Sequence, residues 1–201
     1  MKIIIPPEIK YIIGIDEAGR GPFAGPVSVC AFCVPAQNTD FKKFSKGVRD
    51  SKKLSEKKRD EWFEKIKEEK RAGKINYAVS FGSADMINKR GLSYAIKFAL
   101  KKSLKALRCE PKETLVLMDG SLHAPKNYTH QQTIIHGDDK VPVISLASVV
   151  AKVTRDRHML KMGKKYPVYG FEKHKGYGTK AHIKAIKTHG ISKIHRKAFI
   201  H

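Results

Sequence analysis

The sequence predicts an α/β fold: a mixed five-stranded sheet flanked by helices, with a helical C-terminal portion over about residues 165–201. Strand-like and helix-like apolar patterns alternate in the order β-β-α-β-α-β-β-α-α, which is how a sheet covered by helices is written in sequence. Hydrophobic residues make up 41 % of the 201, enough to build a core although 30 % are charged. No repeat, low-complexity tract or linker interrupts the pattern, so one domain is expected over residues 1–201.

The first strand is YIIGI (11–15), a continuous β-favouring run, and after a Gly/Pro-rich turn PVSVCAFCV (26–34) is the second. Residues 51–71 contain a helix start, with Ser55 as N-cap and Trp62, Phe63 and Ile66 at helical spacing. INYAVSFG (75–82) is the third strand. The stretch after Ser83 reads as helix, with Met86, Leu92, Ile96, Leu100, Leu104 and Leu107 as its apolar stripe and Gly91 marking a break or a close contact. TLVLMD (114–119) and TIIHG (133–137) are the fourth and fifth strands. A long helix over 143–166 ends before Pro167, and a last one runs from about Thr179 to His189 with Gly190 at its C′ position.

Lys plus Arg number 41 and Asp plus Glu 19, a formal charge of +22. Self-repulsion of that size calls for a polyanionic partner, and nucleic acid fits better than a membrane because no long amphipathic basic helix dominates. No apolar run approaches the roughly 20 residues of a membrane span. The opening MKIIIPPEIK is cut short by prolines and lacks a signal peptide's apolar region. Cys30 and Cys33 form a lone CxxC inside a strand, where alternation sends the thiols to opposite faces. They read as buried small hydrophobes in a reducing cytoplasm.

In a chain short of acids, the position of each acid is informative. Glu56, Asp60, Glu61, Glu64, Glu68 and Glu69 interleave with basic residues and make a solvated helix face. Asp16 and Glu17 follow the first strand, Asp119 ends the fourth, and Asp138 lies in the loop HGDDK after the fifth. Any one of these could be a turn residue, as Asp119-Gly120 illustrates. Several carboxylates at strand ends in so basic a protein point instead to a hard-cation site. Two Mg²⁺ ions about 4 Å apart can activate water and stabilise the leaving oxygen of a phosphodiester. Between the first two strands, Gly19-Arg20-Gly21 lies in a turn with more glycine and proline than a hairpin needs. It is not a phosphate-binding GxxxxGK[ST] loop, and it suits close passage of a nucleic-acid backbone.

GIDEAGRGPFAGPV, DSKKLSEKKR, LVLMDG, GDDKVPVISLASVVAKVTRDR and HKGYGTKAHIKAI, in this order, resemble the ribonuclease HII family from Tyr11 to about Phe199. The resemblance implies a ribonuclease H-like fold and a metal-dependent endonuclease. Such an enzyme cuts RNA in RNA–DNA hybrids and on the 5′ side of single ribonucleotides in duplex DNA, leaving 5′-phosphate and 3′-hydroxyl ends. By motif, Asp16, Glu17, Asp119 and Asp138 become the carboxylates of a two-ion Mg²⁺ or Mn²⁺ site. Asp138 is favoured over Asp139 because Lys140 then aligns with the family's basic residue. Gly19, Arg20 and Gly21 would contact the ribose 2′-hydroxyl through backbone groups, and Tyr177 would pack on the sugar following the ribonucleotide. Ser51, Lys52 and Lys53 resemble a phosphate-contacting segment; read alone they are a solvated basic loop. Asp156 reads as a partner of Lys152 four residues earlier, with Lys152 and Arg155 on the helix face towards sheet or substrate.

His136 is placed near the site, and His174, His182, His189 and His195 on a basic surface meeting phosphate, so binding would strengthen as pH falls. Expected partners are RNA–DNA hybrids and ribonucleotide-containing duplexes, engaged by a monomer. The tail KAFIH hints at a sliding-clamp contact. The alternatives are a non-catalytic basic nucleic-acid-binding protein, betrayed by salt-sensitive binding without a metal-dependent product, and a ribonuclease HIII-like hybrid nuclease. The latter carries an extra N-terminal domain, whereas here the first motif begins at Asp16. The eukaryotic heterotrimer's catalytic subunit is disfavoured by the short chain.

Overall fold

The computed structural model describes residues 3–48, 53–120 and 122–200. Strand β1 (Tyr11–Ala18) pairs antiparallel with β2 (Val27–Pro35), in register from Tyr11 opposite Pro35 to Ala18 opposite Ser28. That pairing carries β1 three residues past the apolar run. Asp16 and Glu17 therefore lie within the strand, not after it as expected. Helix α1 (Phe41–Phe44) is a single turn that the apolar pattern did not announce. Helix α2 (Glu56–Arg71) starts where Ser55 accepts the Lys58 N–H.

Strand β3 (Asn76–Gly82) adds antiparallel to β2. Ser83 caps α3 (Ala84–Arg90), and Gly91, at φ +81°, separates it from α4 (Leu92–Leu107). Strands β4 (Thr114–Asp119) and β5 (Gln131–Ile134) run parallel to β1, giving the order β3-β2-β1-β4-β5. The fifth strand thus ends earlier than the expected 133–137. The segment read as the loop HGDDK is instead a helical turn, α5 (Gly137–Lys140), entered through His136 at φ +56°. Helix α6 (Pro142–Lys165) follows, with proline in its first turn, where no amide donor is required. A short α7 (Phe171–His174) and α8 (Lys180–His189, capped by Thr179) follow, and the segment after α8 returns to the turn that follows β1.

Alternation on the central strands sorts the core into two layers. Ile13, Ile15, Val116 and Met118 face α4, whereas Leu115, Leu117, Cys30 and Phe32 face α2 and α6. Cys30 and Cys33 do fall on opposite faces, and Cys33 Sγ lies 3.6 Å from Cys109 Sγ. Residues 143–151 of α6 are all buried, so this helix is apolar all round where it crosses the sheet. The crossing is close. A Cβ on Gly14 would sit 2.3 Å from the Val143 carbonyl oxygen, so only glycine lets α6 lie this tightly against β1. A third cluster, Ala24, Met159, Tyr169 and Phe171, fastens the C-terminal helices to the turn after β1. Among the described residues, no helix is long and apolar enough to cross a membrane.

Candidate active site

Strands β1 and β4 are parallel, with Ile15 opposite Met118. One residue further on, Asp16 and Asp119 stand at the same level on neighbouring strands, and alternation turns both towards α6. Asp16 is buried, with the Ser148 hydroxyl of α6 bonding its carboxylate. Burial, reinforced by Glu17 and Asp119, pushes its carboxyl well above the usual carboxylate range. Glu17 accepts from the Arg20 guanidinium through Oε1 at 2.8 Å. Its Oε2 is buried and has no hydrogen-bond partner among the described residues. An anionic oxygen so placed is costly unless something cationic meets it.

Asp119 Oδ1 accepts the Gly137 N–H at 2.7 Å, which ties the end of β4 to α5. A Cβ on Gly137 would reach within 2.8 Å of Ile144 Cδ1, so glycine permits this approach. The turn then delivers Asp138 into a buried position, its backbone carbonyl held by the Ser145 hydroxyl at 2.6 Å. Asp139 points elsewhere and pairs with Lys53. The two neighbours are thus separated by their surroundings: Asp138 is buried, and Asp139 is engaged with a lysine outside the acidic group.

The four carboxylates offer hard oxygen donors, with one Glu17 oxygen unpartnered among the described residues and Asp16 buried beside acidic neighbours. That donor set suits Mg²⁺ or Mn²⁺. Among the described residues, however, no three acidic, histidine or cysteine side chains already converge on one ion-sized point. Opposed facings explain part of this: Asp16 faces α6, while Glu17, next along the strand, is turned to Arg20.

Gly19, Arg20 and Gly21 open the turn after β1. Gly19 is buried at φ +94°, and a Cβ there would strike Arg155 Nε at 2.0 Å. Gly21 is exposed, with nothing within 4 Å of where its Cβ would be. Tyr177 presents an exposed ring, with the Lys152 ammonium and the Arg155 guanidinium each 5.8 Å from its centroid. Lys152 also pairs with Asp156 at 2.9 Å, the i,i+4 contact expected from sequence. Ser51 and Lys52 lie outside the described residues.

The chain carries further functional clues that periodicity did not reveal. Arg155 and Arg196 are fully buried, and their guanidiniums bond backbone carbonyls of the turn at 19–26. His182 and His195 are buried too, so they do not belong to a phosphate-facing surface as expected. Both pKa values are lowered by burial, His195 to about 4, which keeps the rings neutral. Of the other two, His189 is exposed and His174 half-buried.

A family profile described as ribonuclease HII matches residues 13–201. The chain belongs to the ribonuclease HII family. Relatives bearing that name are 44 % identical in Nitrosomonas europaea (94 % of this chain, 82 % of the relative) and 46 % identical in Bacillus anthracis (95 % and 69 %). Among solved structures, ribonuclease H2 from Pyrococcus horikoshii superposes with TM-score 0.69 at 25 % identity, over 94 % of this chain and 93 % of that one. The Archaeoglobus fulgidus ribonuclease HII, solved with PCNA, gives 0.72 at 24 % identity, over 92 % and 93 %. A ribonuclease HIII solved with Mn²⁺ shares the fold at TM-score 0.62 and 18 % identity, over 94 % of this chain and 64 % of its own. The architecture is ribonuclease H-like, and the protein is an endonuclease of the ribonuclease H type in a family that depends on divalent metal.

Proposed function

We propose that this chain, as a single catalytic domain, hydrolyses the RNA strand of RNA–DNA hybrids and cuts 5′ to single ribonucleotides in duplex DNA. The products are 5′-phosphate and 3′-hydroxyl ends. The observation that carries the reading is the acidic group at the ends of β1 and β4, with Asp16 buried and one oxygen of Glu17 orphaned in a protein of charge +22. The basic majority draws the duplex, and the acids are positioned to draw cations.

In this reading Asp16, Glu17, Asp119 and Asp138 hold two Mg²⁺ or Mn²⁺ ions. Bound there, the ions supply activation of the attacking water and stabilisation of the departing 3′-oxygen. The chain's own residues do the rest. Gly137 anchors Asp119 so that its carboxylate keeps one direction, and Ser148 does the same for Asp16. The turn at Gly19–Gly21 meets the ribose 2′-hydroxyl, the group that distinguishes RNA from DNA. Tyr177 packs on the sugar to its 3′ side, with Lys152 beside the ring to meet phosphate and the buried Arg155 guanidinium supporting it from within.

The protein is proposed to act as a monomer in the cytoplasm. A sliding clamp is a further proposed partner; contact through the tail would require Phe199, now packed on the α4 side of the core, to be released. The test of function is cleavage of a duplex carrying one ribonucleotide, with Mg²⁺, Mn²⁺ or chelator, mapping the cut. A metal-dependent cut 5′ to the ribonucleotide is expected; binding without any metal-dependent product would refute it.

A further inference from the structure

Residues 192–196 make a tight turn, the His195 N–H donating to the Ser192 carbonyl at 3.1 Å, and then cross the turn after β1. Gly25 N–H donates to the Ile194 carbonyl at 2.8 Å, Arg196 N–H donates to Phe23 at 2.7 Å, and Ala24 pairs with His195 as an isolated antiparallel bridge. From this segment two sets of bonds run to the two loops assigned above to substrate reading.

The first set comes from Arg196. Its buried guanidinium donates to the carbonyls of Gly19 (2.7 Å), Arg20 (2.9 Å) and Gly25 (2.8 Å), and among the described residues it has no carboxylate partner. A buried cation is tolerated only where such charge-assisted bonds replace its water. The bonds also fix direction. In a trans peptide the C=O and the following N–H point opposite ways. Holding the Gly19 and Arg20 carbonyls inward therefore turns the Arg20 and Gly21 N–H groups outward. Both residues are exposed, and neither N–H has a partner among the described residues. Two adjacent outward amides make a cradle for an oxygen acceptor.

The second set is a relay whose proton positions follow from its ends. His182 Nδ1 lies 2.9 Å from the Tyr177 carbonyl, an acceptor, so Nδ1 carries the proton and Nε2 accepts. His195 Nε2, 3.0 Å away, must then be the donor, which leaves its Nδ1 as an acceptor. It does accept, from the Ser192 N–H at 2.8 Å, with the Ser192 hydroxyl at the same distance. Every position is filled with both rings neutral, and no proton can be added without breaking a bond.

We propose that residues 192–196 are a clamp that sets the two reading loops relative to each other. Arg196 is the positioning residue for Gly19–Gly21, and the His195–His182 pair is the positioning device for Tyr177. The loops are also joined directly, by Phe23 and Ala24 N–H groups donating to the Gly176 carbonyl at 2.8 and 3.2 Å. The clamp therefore governs a preformed pair, and it rests on the reading of both loops as substrate contacts.

The test compares kcat/KM on a single-ribonucleotide duplex and on a continuous hybrid, well below each variant's melting temperature. Arg196→Met should lower both values on the order of 100-fold, as a misplacement near 1 Å does, with partial rescue in Arg196→Lys. His195→Phe should depress the single-ribonucleotide rate about tenfold more than the hybrid rate, the same bias expected of Tyr177→Ala, because only the former substrate presents the junction. Folded Arg196 and His195 variants with parental values, or with a lowered melting temperature alone, would overturn the clamp. Gly21→Pro, which removes one outward N–H, and Tyr177→Ala test the underlying reading separately. If they change cleavage while the clamp variants do not, only the clamp fails.

Discussion

Acid should destabilise this protein through the buried histidine pair, and the size of the effect can be worked out. The His195 ring has an ordinary value of 6.5 and is brought down to about 4, first by burial and then by the neighbouring His182. Between those pH values the unfolded chain binds a proton that the folded chain excludes. Stability from this group is thus complete above about pH 6.5 and is lost as pH falls towards 4. The gap is worth about 3 kcal/mol, a large part of the 5–15 kcal/mol typical of a domain. His182 shifts in the same direction, whereas the raised Asp16 carboxyl works in the opposite sense.

Comparing the parent with His195→Gln cancels what both share. Urea unfolding at several pH values down to about 4.5 should show the parent more stable near neutrality. Its advantage should shrink by most of those 3 kcal/mol towards the acid end. Parallel profiles for the two proteins would show that His195 titrates normally, and the proton placement in the relay would be wrong.

Three other outcomes can be checked directly. Asp119→Asn should cut metal-dependent cleavage by more than the roughly 100-fold usual for residues that only support metal ligands, while duplex affinity is spared; turnover like the parent's would sink the metal-site assignment. Tyr177→Ala should lose junction cleavage much more than binding, measured by cleavage rate against a gel-shift titration, and equal junction cleavage would remove Tyr177 from recognition. Gly14→Ala forces a methyl to 2.3 Å from the Val143 carbonyl and should cost about 1–3 kcal/mol by urea midpoint; an unchanged midpoint would contradict the close packing of α6 on β1.

The strands and long helices were legible because their signals are local. YIIGI and LVLM are continuous apolar runs as central strands are, and Ser55, Ser83 and Thr179 cap the helices they precede. The acids at the ends of β1 and β4 stood out because charge after an apolar run is itself a local anomaly. Boundaries failed where a partner strand decides them. Asp16 and Glu17 belong to β1 because β2 pairs with them, a fact held in Val29 and Cys30 rather than in the run YIIGI. The helical form of Gly137–Lys140 was likewise hidden, since one turn has no periodicity to read.

Arg196 and His195 mark the limit of local reading. In sequence they sit in a histidine- and lysine-rich tail, where solvated basic residues are the ordinary outcome. What buries Arg196 is three carbonyls lying 171 to 177 residues away, at Gly25, Arg20 and Gly19. Backbone carbonyls carry no residue identity, so no residue type in the turn announces that a guanidinium will be needed there. The neutrality of His195 is equally non-local. Burial and the neighbouring His182 lower its pKa, and the chain of hydrogen bonds from the Ser192 amide to the Tyr177 carbonyl is filled with both rings neutral. The residues proposed to touch substrate are named by motif and chemistry. Those that aim them depend on which carbonyls the fold leaves facing inward, and that is settled only when the two ends of the chain meet.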